Sequence, residues 1–516
     1  MKRIVIEKST YLDSVSLMRI SKKASEAAGV ANAMVAMATD TNLALMAEVG
    51  FDASEVQDVT ANDLMIALDA EDEATLGAAL EMVRGELKGG APTGSEESRA
   101  PGSLESAMRE YPEINLVLIS VPGQFAAYEA MKALRSNKHV MIFSDNVSIE
   151  DERELKTVAS KRGLLLMGPD CGTAIINGAG LGFANSVPAG KIGMVAASGT
   201  GAQEVSAILA RNGLGISQLI GTGGRDVAGT IGGVTTIMGL KALIDDPETE
   251  VIAVVSKLPD EKVAKKILKV ARGTGKPCII YFAGQSESRR DANLVFTRTL
   301  AETAAEAALA AGGRVSGSTR PDNTGTDENL LELRCTLDPS RKYLRGLFSG
   351  GTLAQEAAFI LGRSLDTIHT NLKLPGLVML DDPGTSTAHT IVDLGDDVFT
   401  RGRAHPMIDQ SYRLTRLAKE VSDGETAVIL LDVVLGYGCS ADPAGEIAGC
   451  LAGESGENRR GPGGPIVIAS ICGTHQDPQG YDRQRQALLS AGVLVAETNA
   501  QACELARKAL GGESGE

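Results

Sequence analysis

The stretch "VAASGTGAQEVSAIL", residues 195–209, passes from an apolar strand pattern through Ser-Gly-Thr-Gly straight into a helix pattern. It recurs at 346–361 as "GLFSGGTLAQEAAFIL", with Ser-Gly, Thr and Ala-Gln-Glu in the same order and one inserted glycine. Two such turns indicate an internal duplication. Strands are expected at 192–197, 215–220, 250–256 and 277–282, each followed by a helix, and again near 344–348, 390–394, 427–433, 465–471 and 493–496. That alternation gives doubly wound α/β units with right-handed crossovers. The match continues through "LIGTGGRDV" (219–227) and "IVDLGDDV" (391–398), each a strand, a glycine turn and Asp-Val before the next helix.

Working outward, residues 1–90 read as a small α+β domain with strands at 3–7, 33–38 and 63–68. Residues 104–190 alternate strand and helix and end their strands in Gly and Pro turns, as in an open parallel sheet. The two repeats are expected at 191–311 and 340–516. Three stretches rich in Gly, Ser, Pro and charge (87–103, 312–329 and 452–464) read as two linkers and a long surface loop.

With 516 residues and a net charge of −16 without a concentrated basic segment, the chain is a poor partner for nucleic acid or an anionic membrane. A small molecule or another protein is expected instead. Seven scattered cysteines form no CxxC pair and no metal-ligand spacing, so reduced thiols and no metal are expected. "MKRIVIEKSTYLD" lacks the apolar core of a signal peptide, and no apolar run reaches the length of a membrane span, so a cytoplasmic protein is expected.

A helix entered through Ser-Gly-Thr-Gly leaves its first N–H groups unpaired at the positive end of its dipole. Small residues there let a phosphate or carboxylate reach the backbone. The candidate anion ligands are Ser198, Gly199, Thr200 and Gly201, and in the second copy Ser349, Gly350, Gly351 and Thr352. "LGYGCSADPAGEIA" (435–448) again follows an apolar strand and adds Gly436, Gly438 and Ser440. The competing reading of any one turn is a well-capped helix without a ligand. His405, in "RGRAHPMIDQ", is a candidate general acid or anion ligand, against a capping or loop role. Asp226 sits where it can orient substrate or cap the next helix. Arg225 and Arg403 can clamp a carboxylate or form surface ion pairs, and His475 follows a strand end on the ligand-bearing edge. His139, His369 and His389 read as structural, and nucleophilic roles for Cys171 and Cys439 are minor options.

"MGPDCGTAI", "GFANSVPAGKIGMVAASGTGAQE", "LIGTGGRDVAGTIGG" and "DDPETEVIAVV" follow one another as in the α subunit of succinyl-CoA synthetase, over about 115–285. "VVLGYGCSADPAGEIAG", "PIVIASICGT" and "ALLSAGVLVAETNAQACELA" are similar to the C-terminal ligase domain of the β subunit. Both in one chain, behind a small N-terminal domain and with "RGRAHPMID" between them, resemble the FdrA family over essentially the whole length. The resemblance implies a Rossmann-like CoA-binding-type domain followed by two flavodoxin-like succinyl-CoA synthetase-type domains. It implies that helix starts at Ser198 to Gly201 and Gly436 to Ser440 face one phosphate. The family's phosphate-carrying histidine is missing, since no histidine occurs between His139 and His369, and its supporting glutamate is replaced by Lys257. No ATP-grasp domain is present.

What the resemblance then implies is a subunit of an oxamate carbamoyltransferase of allantoin and purine breakdown, converting oxalurate and phosphate to oxamate and carbamoyl phosphate. Such chemistry requires no metal or redox cofactor. It needs a small anionic substrate, other subunits of the same enzyme and an oligomer. "SVPGQF" (120–125) and "FSDNVS" (143–148) match places where the related fold takes up CoA, leaving CoA as a possible ligand. The alternatives are an acyl-CoA synthetase with a nucleotide site supplied by a partner, and a non-catalytic scaffold subunit.

Overall fold

The computed structural model describes residues 1–8, 63–89, 101–315, 324–400, 403–453 and 463–511, and most positions between 9 and 62. Part of each expected linker, at 90–100, 316–323 and 454–462, lies outside the described residues, and a helix, Thr324–Thr336, begins within the second. The chain forms two compact units, one of Met1–Glu113 with Thr400–Ala404, the other of Ile114–Phe399 with His405–Glu516. The boundary therefore falls beyond the helix Leu104–Glu110, which the sequence reading assigned to the second domain.

In the first unit, Lys2–Glu7 and Val30–Met37 both pair antiparallel with the central strand Leu64–Ala70. That strand is nearly all apolar because both its faces are covered. The helices Ser14–Ser25 and Glu73–Gly89 supply Leu17, Ile20, Leu80 and Val83 to the core on one face.

The second unit holds three sheets. Leu116–Ile119, His139–Ile142 and Leu166–Met167 form a short parallel sheet, which is one half of a doubly wound fold. The first repeat is built on five parallel strands in the order Leu294–Thr297, Cys278–Phe282, Val251–Ser256, Ala189–Ala197, Ile216–Gly221. The second repeat gives Leu494–Ala496, Ile466–Cys472, Thr426–Val434, Tyr343–Phe348, His389–Asp393, the same order again. The duplication read from two turns is thus a duplication of the five-stranded parallel core of the sheet. The first sheet gains a hairpin, Thr173–Ile176 with Ala179–Gly182, antiparallel on its edge, so the sheet starts near 173 rather than 191. The hairpin's Ile175 belongs to the core of that sheet, and this decides its allegiance.

One apolar core runs through both repeats, from Ile192 and Ala202 to Leu353, Ala357 and Leu505. Two glutamates from the repeated Ala-Gln-Glu cross between the halves. Glu356, in the second repeat, accepts from Leu300 N (2.6 Å), the first residue of a first-repeat helix. Glu204, in the first, accepts from Asn499 N (3.1 Å), the first residue of a second-repeat helix. Each repeat thus places a carboxylate at a helix start of the other, where the dipole favours it. Both are buried, and burial pushes Glu356 up to about 7.

Candidate functional site

The site lies at the carboxyl ends of the parallel strands, the edge where α/β sheets carry their ligands. The strand Ala189–Ala197 delivers Ser198 in extended backbone, φ −161°, and its Oγ accepts from Gly201 N (3.0 Å) as an N-cap. The helix Gly199–Arg211 cannot satisfy the N–H groups of Gly199 and Thr200 from within, which leaves them for an outside acceptor. Beside them the Thr173 hydroxyl, 3% exposed, has no hydrogen-bond partner and stands 3.3 Å from where a Cβ on Gly199 would lie.

The second copy is arranged differently. Its strand ends at Phe348, Gly350 is the N-cap, and the helix is Gly351–Leu361. Here a carboxylate of the protein stands just ahead of the helix: Asp432 accepts from Ser349 N (2.8 Å), Ser349 Oγ (3.1 Å) and Gly350 N (2.7 Å). The buried Arg413 guanidinium holds Asp432 from behind at 2.8 Å. Ser349 and Gly350, expected as ligand donors, are therefore already committed to a side chain of the protein.

The two helix starts meet. Ser198 Oγ and Thr352 Oγ1 are 2.6 Å apart. A Cβ on Gly350 would come within 2.9 Å of Thr200 Cγ2, and one on Gly201 within 3.1 Å of Thr352 Cγ2. Glycine is required at both places so that two helices can start against each other. Around this junction lie Lys257 at the end of Val251–Ser256, Asp393 at the end of His389–Asp393, and His405. The Lys257 Nζ lies over Gly224, 3.1 Å from a Cβ there, makes no ion pair within 4.0 Å among the described residues, and acts electrostatically on both Asp170 and Asp393. At the equivalent glycine of the second repeat, Gly395, the His405 Nε2 takes that place, 2.5 Å from a Cβ.

His405 is half-buried, and desolvation pushes its imidazole down to about 4, so it is neutral at physiological pH. Its Nδ1 accepts from Met407 N (3.3 Å), which assigns the proton to Nε2, on the side of Gly395. Of the roles expected for His405, a general acid, an anion ligand or a capping or loop residue, a neutral imidazole leaves it a hydrogen-bond donor at Nε2.

Other expectations are corrected as well. The turn at 436–440 does not open a helix: the helix is Pro443–Ala452 and Gln484 Oε1 takes its Ala444 N–H (2.8 Å). Gly436 N donates to Gln479, Tyr437 N to Ala184 O and Ser440 N to Met407 O, while Ser440 Oγ donates to Glu446. Gly438, at φ +77°, serves the turn, packing against Phe183. These residues offer no second cradle. Asp226 is wholly buried, caps Thr235 N and Thr236 N, and is paired with Lys156 at 2.7 Å, so its oxygens cannot reach a substrate. Arg225 is held by Glu152 and Val147 O rather than free to clamp a carboxylate. His475 is exposed beside Asp482 and Tyr481, with no contact to the cradle. Arg403 belongs to the first compact unit, not to the one carrying the cradle. His139 and His389 each accept a backbone N–H at Nδ1, from Leu165 and Leu344.

The residues sequence reasoning missed are Asp432, Arg413, Asp393 and Thr173. Asp432 carried a signal, as the single charge in the otherwise apolar "TAVILLDVV". The others carried none, because their roles depend on which strand end each meets.

Comparison with known proteins agrees with this architecture. Residues 347–509 match the family described as CoA-ligase, residues 189–324 the succinyl-CoA ligase like flavodoxin domain, and residues 1–101 the AllF, heavy metal-associated domain. The uncharacterized protein YahF of Escherichia coli (strain K12) is 42% identical over 513 residues, covering 98% of each chain. The succinate–CoA ligase [ADP-forming] subunit alpha 2 of Archaeoglobus fulgidus is 30% identical over 188 residues, 35% of this chain and 63% of that one. The ADP-forming sulfoacetate-CoA ligase subunit SauD of Bilophila wadsworthia is 25% identical over 242 residues, 43% of this chain and 78% of that one. For the metal in the description of the N-terminal family, the described residues hold no group of three His, Cys, Asp or Glu side chains that could bind an ion. Residues 1–101 contain neither cysteine nor histidine, and Met37, Met46 and Met65 are buried in the domain core.

Proposed function

This chain belongs to the FdrA family, related to the succinyl-CoA synthetases, and from that premise we propose that it is the phosphate-binding subunit of a carbamoyltransferase in allantoin and purine breakdown. The observation that carries the reading is the start of the helix Gly199–Arg211, which keeps the N–H groups of Gly199 and Thr200 open beside a buried, unpaired Thr173 hydroxyl. A single small anion is the ligand this suits. The loop at 283–299, where a phosphohistidine would stand, contains no histidine. Phosphate is then a substrate rather than a group relayed on the protein. The neutral His405 donates from Nε2 to the carbonyl oxygen of the carbamoyl group, a task that favours imidazole over imidazolium. Lys257 balances the charge of two anions brought together. The remaining substrate contacts come from other subunits.

A second reading, an acid–thiol ligase, is favoured by the CoA ligases among the relatives. The helix Gly123–Arg135 starts at Pro122 without a side-chain cap and fits the phosphate end of CoA. CoA would supply the thiol that accepts an acyl group. The test is to supply the chain, with the proteins encoded beside its gene, with oxamate and carbamoyl phosphate and to follow oxalurate. Oxalurate formation supports the transferase. Its absence, with thioester formed from an acid, CoA and ATP, overturns it in favour of the ligase.

A further inference from the structure

Two buried carboxylates stand at the start of the helix Gly351–Leu361, and they are equipped differently. Asp432 has Arg413 and three donors around it. Asp393, 8% exposed, has one donor to Oδ1, Gly395 N at 2.9 Å, and no cation within 4.0 Å among the described residues. Its Oδ2 would lie 2.4 Å from a Cβ on Gly351, directly over the first residue of the helix. Asn371 pins its backbone from both sides, donating to Asp393 O (3.0 Å) and accepting from Asp393 N (2.9 Å). The position is fixed, and the charge is left without a counterion. A ligand in the adjoining helix start is indicated separately by the unpartnered Thr173 hydroxyl.

We propose that Asp393 is the acid of this site, relaying a proton from the attacking phosphate to the nitrogen that leaves. The proposal rests on the transferase reading above. An oxygen of hydrogen phosphate attacks the carbamoyl carbon of oxalurate, and the new C–O bond forms as the C–N bond to the oxamate nitrogen breaks. The electron pair of that bond stays on nitrogen. Asp393 gives this nitrogen its proton and takes up the one the phosphate oxygen loses, so that oxamate and carbamoyl phosphate leave with the total charge that entered. Burial pushes the Asp393 carboxyl up to about 7, which keeps the acid form populated at neutral pH. The groups facing it divide: Lys257, from the other repeat, favours the anion, while Asp396 and Asp432 oppose it. His405, over Gly395, is neutral and adds no charge.

Asp393→Asn keeps the acceptor for Gly395 N and removes only the proton. In the complex with its partner subunits it should lower kcat ~10²–10⁴-fold, with KM for phosphate within about threefold. Wild-type kcat should fall as pH rises above about 7, where the acid form is lost, and the residual activity of the variant should lack that limb. A variant that keeps wild-type kcat and the same alkaline limb overturns the role of Asp393 while leaving the transferase intact. A wild-type complex that forms no oxalurate overturns the transferase reading and this role together.

Discussion

Replacing Ser198 with Asp would put a carboxylate at the open helix start, where it competes with a bound anion for the same positive helix end. In the twin repeat Asp432 stands one step earlier, taking the N–H groups of Ser349 and Gly350 ahead of the helix. In the first copy, Asp caps as well as Ser, so the bond from Gly201 N survives the change. The hydroxyl pair with Thr352 is lost, at about 1 kcal/mol. The fold should therefore persist. A bound phosphate would lie about 4 Å from the new charge, and two unit charges at that distance repel by about 4 kcal/mol at an effective dielectric near 20. Each 1.4 kcal/mol is about tenfold in affinity, so phosphate binding should weaken at least ~10³-fold. Isothermal titration of phosphate into wild type and Ser198→Asp reads this directly, with circular dichroism checking the fold. Ser198→Ala serves as the neutral control, losing the cap but adding no charge. A natively folded Ser198→Asp variant with wild-type phosphate affinity would refute the placement of the anion at this helix.

Three further outcomes follow from the packing. Burial raises Glu356 from its ordinary 4.5 to about 7, so the folded state binds this proton more tightly than the unfolded chain, and stability falls as pH rises through that window by about 3 kcal/mol. Glu356→Gln should flatten the difference between urea unfolding at about pH 5 and about pH 8, and an unchanged difference would exclude Glu356 as its source. Gly350→Ala forces a methyl to 2.9 Å from Thr200 Cγ2. It should cost about 1–3 kcal/mol in thermal unfolding, partly restored by Thr200→Ser, which deletes that carbon. Arg413→Met leaves Asp432 buried without its cation and should destabilise by about 3–5 kcal/mol, whereas Arg413→Met combined with Asp432→Leu should cost less; equal losses would show the ion pair to be unimportant.

The repeat was legible because each copy spells the same local events: an apolar strand, small residues at a helix start, and the Ala-Gln-Glu that later proves to cross between the halves. The parallel, doubly wound character followed from the alternation of strand and helix, whereas the order of the strands came only with the structure. The hairpin at 173–182 was not legible as part of the first sheet, because its two strands of four residues match any edge and only packing chooses one. The cradle was half legible. Ser198 and Thr352 announced helix starts, but sequence treats the two copies alike, and what separates them is a charge more than eighty residues from Ser349 in the chain. The same limit explains Asp226, which reads like a site aspartate because a capping aspartate and a catalytic one obey the same local rule; only Lys156 beside it decides. Duplication supplied two helix starts that meet at Ser198 and Thr352, and they differ in what stands beside them. In the first it is the unpaired Thr173 hydroxyl, while in the second Asp432 holds the N–H groups just ahead of the helix and the carboxyl of Asp393 lies over Gly351.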